Sequence, residues 1–272
     1  MKSRAAATPF GLWMGIFTVV PMAIVLWFAF TDANGTFTLA NIARIWQYAG
    51  TYVDSIWMGA VATLICLVLA YPVALSISRK AEHMQRTMVM IVMLPMWMNF
   101  LLRTYAWMTL LEDQGLLNQF LRWIGLPAMH LINTDAAVVL GMVYNFLPFM
   151  ILPLYSVMAK LDNRIIEAAQ DLGSNGFQVF RRVILPLSAP GIVSGVTMVF
   201  VPAVSTFVIS KLLGGSKYMM IGDVIESMFV GDGCDYNVGA ALSLVLMVLM
   251  LVCMSLMRKV DNGEDELGGM MA

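Results

Sequence analysis

Residues 136–192 read AAVVLGMVYNFLPFMILPLYSVMAKLDNRIIEAAQDLGSNGFQVFRRVILPLSAPGI. Up to Ala159 the stretch has no Asp, Glu, Lys or Arg. About 20 apolar residues in helical form cross a ~30 Å hydrocarbon core. From Lys160 charges return, mixed with apolar residues, and from Val183 the chain is again free of charge. The pattern is a membrane crossing, a polar loop with structure of its own, and a second crossing.

The same signal extends in both directions. Residues 5–31, 55–78, 183–210 and 236–257 carry no charged side chain, and 87–111 is interrupted by Arg103 alone. Lipid offers backbone N–H and C=O groups no partner, so such segments must be helical. The expected fold is all-α. One polytopic domain over 1–260 has six transmembrane helices at about 11–31, 55–78, 87–111, 136–159, 184–210 and 236–257. A cytoplasmic loop at 160–183 follows the fourth. The tail over 261–272 is acidic and Gly-rich and is expected to be disordered. Composition agrees: 60% of residues are hydrophobic and 12% charged, against about 25% charged in soluble domains. The first span is read as retained, because its apolar run is long and no clear small-x-small cleavage site follows it. Cys66, Cys234 and Cys253 are too few and too scattered for a disulfide framework or zinc site. A net charge of −1 gives no indication of a nucleic-acid partner.

Lys and Arg in short loops set orientation. With the N-terminus in the cytoplasm, the inner segments hold Lys2, Arg4, Arg79, Lys80, Arg86, Lys160, Arg164, Arg181, Arg182, Arg258 and Lys259, which is 11 of 16. Both termini are therefore expected to be cytoplasmic. The outer segments carry most of the acids, Asp223, Glu226 and Asp232 among them. Two amphipathic helices are expected there, TLANIARIWQYAG (38–50) and LLNQFLRWIGL (116–126), with a shorter apolar one around 221–230. Pro21, Pro72, Pro95, Pro148, Pro153 and Pro202 fall inside spans. Each removes a backbone hydrogen bond. Two readings stand: ordinary membrane-helix composition, or bends that shape a cavity.

In the second cytoplasmic loop Leu161, Ile165, Ala168, Ala169 and Leu172 recur at helical spacing, and Gly173 to Gly176 break the pattern. Phe177, Phe180 and Val183 begin a second amphipathic turn that enters the membrane past Pro186 and Pro190. Glu167 and Asp171, one turn apart, can pair with basic groups on a partner. On chemistry alone the loop is either a docking element or an amphipathic linker on the lipid surface.

The loop resembles the EAA loop of ABC importer permeases: Glu-Ala-Ala, three residues, Gly, nine residues, an aliphatic residue, one more, then Leu-Pro. Glu167, Ala168, Ala169, Gly173, Val183, Leu185 and Pro186 fill this pattern, with Val183 where Ile is more usual. ATLICLVLAYPVAL (62–75), LPMWMNFLLRTYAW (94–107), VYNFLPFMILPLYSVMAKLD (143–162) and LLGGSKYMMIGDVI (212–225) look like the spermidine/putrescine subgroup. The resemblance implies a type I ABC importer permease fold in the bacterial inner membrane. It implies half of an ATP-driven translocation pathway for polyamines, or for another small organic solute. Expected partners are a second, similar permease, two ATPase subunits that bind ATP and Mg, and an external substrate-binding protein. Glu167, Ala168, Ala169, Asp171 and Gly173 become the coupling residues. No cofactor, metal or catalytic residue is expected in this chain.

A path for a polycation calls for aromatic faces, oxygens and carboxylates. Trp97, Asn99, Tyr105 and Trp107 cluster in the third span, as lining or as interface anchors. Arg103 either pairs with Glu112 or Asp113 in a structural or gating role, or snorkels to the outer headgroups. Ser205 and Thr206, between Pro202 and Ser210, give the fifth span a polar stripe, and Lys211 follows. Asp223 and Glu226 dock the external binding protein or are solvated loop acids. The absence of Asp and Glu from the spans assigns negative charge to the partner permease, or selectivity to the binding protein. No phosphate-binding loop occurs, so ATP hydrolysis falls to another chain. An ion-coupled secondary transporter would call for mid-membrane acids or broken helices. A scaffold would leave the polar stripe unexplained.

Overall fold

The computed structural model describes residues 11–32, 34–215, 218–230 and 234–269. Lys2, Arg4, Lys217, Asp232 and residues 270–272, all used in the sequence reading, lie outside them. The described chain is helical apart from turns and one isolated bridge between Thr31 and Phe37. Its helices are α1 (Gly11–Ala29), α2 (Ala40–Ser78), α3 (Glu82–Trp97), α4 (Phe100–Leu111), α5 (Leu116–Trp123) and α6 (Asp135–Met158). After these come α7 (Asn163–Asp171), α8 (Gly176–Leu187), α9 (Ala189–Ser205), a single π-helical turn (Ser210–Gly214), α10 (Ile221–Phe229) and α11 (Tyr236–Gly269).

Among the described residues, α1, α2, α6 and the Tyr236–Met257 part of α11 are each long and apolar enough to cross a membrane unbroken. The other two crossings are bent pairs, α3 with α4–α5 at 84° and α8 with α9 at 64°. Counting each pair as one crossing gives six.

The core lies where α2, α6 and α9 meet. Along α2 the small residues Gly59, Ala62, Cys66, Ala70 and Ala74 recur about every four positions and are buried. Between helices in lipid the attraction is close packing rather than expulsion of water, and small residues permit it. The approach is tight. A Cβ added at Gly59 would stand 2.6 Å from Val204 Cγ2, and one at Gly195 2.7 Å from Met150 Sδ. The peripheral α1 packs on α11 through Ala29, Ala240 and Ala241 and leaves Trp13, Phe17 and Trp27 exposed, as a lipid-facing helix does.

Four expectations need correction. The third span, read as continuous over 87–111, is broken at Met98–Asn99. Pro95 removes a backbone donor there, and the Asn99 side chain caps α4 by accepting from the Leu101 and Leu102 N–H groups at 2.9 and 3.3 Å. The outer helix at 38–50 is not separate, because it continues into the second span without a break. The fifth span, read over 184–210, ends at Ser205, three residues after Pro202, and Thr206 turns to extended backbone. Finally, the tail begins as helix: α11 runs to Gly269. A helix already nucleated in the membrane extends at one hydrogen bond per residue, even through acidic sequence.

Candidate functional site: a capped helical element and its route into the spans

Asp162 caps α7, its Oδ1 accepting from the Arg164 N–H at 2.9 Å. The helix buries one face. Ile166 joins Val179 and Ile184 in a small cluster with Leu75, Leu161, Ala169 and Val183 packed around it. It ends in a Schellman turn: Gly173 N–H donates to Gln170 O at 2.8 Å and Ser174 N–H to Ala169 O at 3.1 Å. Gly173 has φ +86°, a conformation open to glycine and strained for other residues. Two residues on, Asn175 and Gln178 form a reciprocal capping box, both bonds 2.9 Å, that starts α8. The turn between the helices is fixed from both sides.

The outward face of this element is uncovered. Glu167, Ala168 and Asp171 are exposed, and neither carboxylate takes part in an ion pair among the described residues. Leu172 is 88% exposed and Phe177 69%. Large apolar side chains left bare beside exposed carboxylates are a feature of interaction surfaces. Ala169 differs from its neighbours, being half-buried in the cluster beneath. Of the five expected coupling residues, Glu167, Ala168 and Asp171 present side chains outward, while Ala169 and Gly173 fix how they are presented.

The route into the membrane passes Pro186 and Pro190, as the sequence implies, but its fastening to α2 is legible only in the structure. The 64° bend between α8 and α9 falls at Ser188, flanked by Pro186 and Pro190. Ser188 is fully buried. Its Oγ donates to Leu185 O at 3.0 Å. With that hydrogen used, the 2.8 Å contact with Tyr71 is a bond donated by the Tyr71 hydroxyl to Ser188 Oγ. The Tyr71 ring meets Phe180 of α8 edge-on, centroids 5.5 Å apart. One α2 side chain thus touches the coupling element on one side of the bend and holds the bend itself. Nearby, Gln85 Nε2 donates to the carbonyls of Ser78 and Lys80, and its Oε1 accepts from Tyr155 of α6 at 2.9 Å. The turn between α2 and α3 is thereby tied to α6. The one sequence signal was local: a Tyr-Pro step in the second span and a Ser between two prolines.

The candidate pathway residues divide. Trp97, Asn99 and Tyr105 are exposed around the break in the third span, and Trp107 packs edge-on with Tyr144, centroids 5.3 Å apart. Ser205 and Thr206 lie at the end of α9. No hydrogen bond or ring contact joins the two sets among the described residues. Arg103 is 8% exposed, and its Nε and Nη1 have no partner. The expected pairing with Glu112 or Asp113 does not form. At about 1.5 Å rise per residue, those acids lie well over 10 Å further along, and Asp113 is held by His130 at 2.8 Å. Burial within the protein also contradicts snorkelling to the headgroups.

Beyond the end of α9, Lys211 Nζ donates to both oxygens of Glu226, at 3.2 and 3.0 Å. Asp223 was read as a solvated loop acid or a docking residue. It is 3% exposed, and its Oδ2 caps α10 by accepting from the Met220 N–H at 2.8 Å. Helix capping drew it inward.

Broken apolar helices around a small-residue core, with a capped two-helix element leading into one of the crossings, define a polytopic membrane protein. The sequence pattern of the binding-protein-dependent transport system inner membrane components matches residues 7–264, and the chain belongs to that family, as a permease component of an ABC transporter. The spermidine/putrescine transport system permease protein PotB of Haemophilus influenzae is 40% identical over 248 residues, covering 88% of this chain and 86% of the relative. PotB of Escherichia coli is 36% identical, covering 88% and 90%. The fold matches a solved bacterial alginate ABC transporter, crystallised with an alginate pentasaccharide-bound periplasmic protein. The TM-score is 0.80 at 17% identity, over 94% of this chain and 92% of the other.

Proposed function

We propose that this chain is one of two permease subunits of an ATP-driven importer for polyamines, spermidine and putrescine among them. The substrate class comes from the relatives, which transport those compounds by name and are up to 40% identical across most of both chains. In this reading α7 and the start of α8 face the cytoplasm and seat in a partner ATPase, which binds ATP and Mg. Both ends of the chain are then cytoplasmic, and an external binding protein delivers substrate to the opposite face. The observation that carries the mechanism is the uncovered face of Glu167, Ala168, Asp171, Leu172 and Phe177 on an element capped at both ends. A rigid element with one buried and one bare face can pass a push from a motor to the spans.

The bend at Ser188 is where that push arrives. Moving α8 moves Phe180 against Tyr71 and rotates α9 about its proline-flanked start, so α2 and α9 shift relative to each other. The test is uptake of labelled spermidine into vesicles holding the purified importer, with ATP enclosed and no ion gradient. ATP-dependent uptake that requires the binding protein is expected. Uptake driven by an ion gradient without ATP would overturn the proposal.

A further inference from the structure

Above the end of α9, a cavity of about 200 Å³ is lined by Lys211, Gly215, Met219, Asp223, Glu226 and Ser227. Its chemistry is unbalanced. Asp223 is almost wholly buried, and while Oδ2 caps α10, Oδ1 has no donor. A buried acceptor without a partner is costly, and more so when charged. Burial accordingly pushes the Asp223 carboxyl above its ordinary range, against the opposing pull of the neighbouring Ser210 hydroxyl, the Met220 N–H and Lys211; the Ser210 hydroxyl is placed to give its hydrogen to Phe207 O, at 3.1 Å. Glu226, one turn further along α10, is the second carboxylate. The carbonyls of Ser205 and Thr206 at the end of α9 press on the same helix: a Cβ at Gly222 would stand 2.6 Å from each. The C-terminal end of a helix carries partial negative charge. Two carboxylates face the cavity with a helix end packed behind them, and among the described residues the one cation lining it is Lys211, 60% exposed at its edge.

We propose that this cavity is a primary-ammonium subsite at the outer end of the translocation path. Asp223 and Glu226 hold one ammonium group of an incoming cation, and Lys211 is the resident ammonium that yields to it. An ammonium has three donors, enough for the free Asp223 oxygen and for Glu226 together. Lys211 already shows that Glu226 takes an ammonium in good geometry. The site adjoins Ser205 and Thr206, where the fifth span breaks and a cation would continue inward. This rests on the polyamine reading for the identity of the cation, and the ammonium comes either from the substrate or from a lysine of the external binding protein.

The experiment has separate readouts for the two readings. Putrescine binding to the purified importer, without binding protein, is followed by ligand-observed NMR up to millimolar concentration. Asp223→Asn is expected to weaken it about tenfold, the effect of one lost charge-assisted hydrogen bond, and Lys211→Met to tighten it. The basal ATPase rate serves as the check on folding. Equal affinity in parent and both variants overturns the subsite. The swap Lys211→Glu with Glu226→Lys keeps the ion pair and the net charge but puts the ammonium on α10, one turn from Asp223, and the carboxylate at the exposed edge. Parent-like binding in the swap would mean that the pair is only a brace, and would overturn the proposal. If Asp223→Asn instead weakens docking of the substrate-free binding protein, the subsite stands and its ammonium belongs to that protein. Absence of polyamine uptake by the parent importer sinks the importer reading alone, because the NMR binding series does not depend on transport.

Discussion

The α2–α6–α9 core and the α7–α8 element are built on opposite principles. In the core, Ala62, Cys66, Ala70, Ala74, Met142, Met150 and Leu154 are fully buried, and backbones approach until glycine is required. The α7–α8 element buries little beyond Ile166, Val179 and Ile184 and leaves Leu172 and Phe177 bare. Its order comes from hydrogen bonds at its turns, namely Asp162, the Schellman turn at Gly173 and the Asn175 box. A core packed to that density resists deformation. An element held mainly by caps can be moved as a unit without disturbing that packing. The pair has the design of a fulcrum and a lever, and changes in the two should fail differently.

The largest effect is expected from Gly173→Pro. Proline cannot adopt φ +86° and lacks the N–H that bonds Gln170 O, a local cost of about 3 kcal/mol or more. The lever loses its turn while the spans keep their packing. ATP-driven uptake should fall to background, with normal insertion and an unchanged elution profile of the purified complex. Full uptake would remove the coupling role assigned to the loop.

Gly141→Val tests the fulcrum. A Cβ there would already stand 2.4 Å from Leu213 Cδ1 and 2.9 Å from Ile209 Cγ2. Overpacking of this kind costs about 1–3 kcal/mol, so a lower unfolding temperature and a reduced yield of folded protein are expected. Unchanged thermal stability would mean that the core is looser than its contacts state.

Leu172→Asp separates the two again. The side chain is bare, so stability in isolation should be unchanged, within about 0.5 kcal/mol. Uptake should drop several-fold because a charge is placed on the docking face. A parallel fall in stability would place Leu172 in the fold rather than in an interface.

The contrast also explains what the sequence could disclose. Lipid imposes long charge-free runs, so five crossings are visible as runs and the sixth through Arg103. The loop motif is visible because its function is local: Glu167, Ala168, Ala169 and Gly173 sit on one turn and a half of chain. Breaks inside spans were harder. Pro95 and Pro202 stand beside breaks, yet Pro72, Pro148 and Pro153 sit inside unbroken helices. A proline alone does not decide, because neighbouring helices can satisfy the freed groups. At the third span the deciding residue is Asn99, whose cap gives α4 a new start. Asp223 was misplaced for a related reason, since an acid at the third position of a short helix can cap it from within. Long-range pairs left no trace: Tyr71 and Ser188 are 117 residues apart, and neither period nor composition points from one to the other.

That pair gives the smallest and most discriminating effect. Tyr71→Phe keeps the ring against Phe180 and removes only the hydroxyl that donates to Ser188 Oγ. A buried neutral hydrogen bond contributes about 1 kcal/mol, so the folded protein survives. Ser188 keeps its own bond to Leu185 O, and the bend therefore persists but is no longer fastened to α2. If the joint transmits the push, more ATP should be hydrolysed per spermidine imported, by a factor of about 5 for that energy. Ser188→Ala should raise the ratio similarly. The double variant should be no worse than either single one, because both remove the same link. Additive losses would show that Tyr71 and Ser188 act separately, and would leave the ring contact with Phe180 as the path from lever to core.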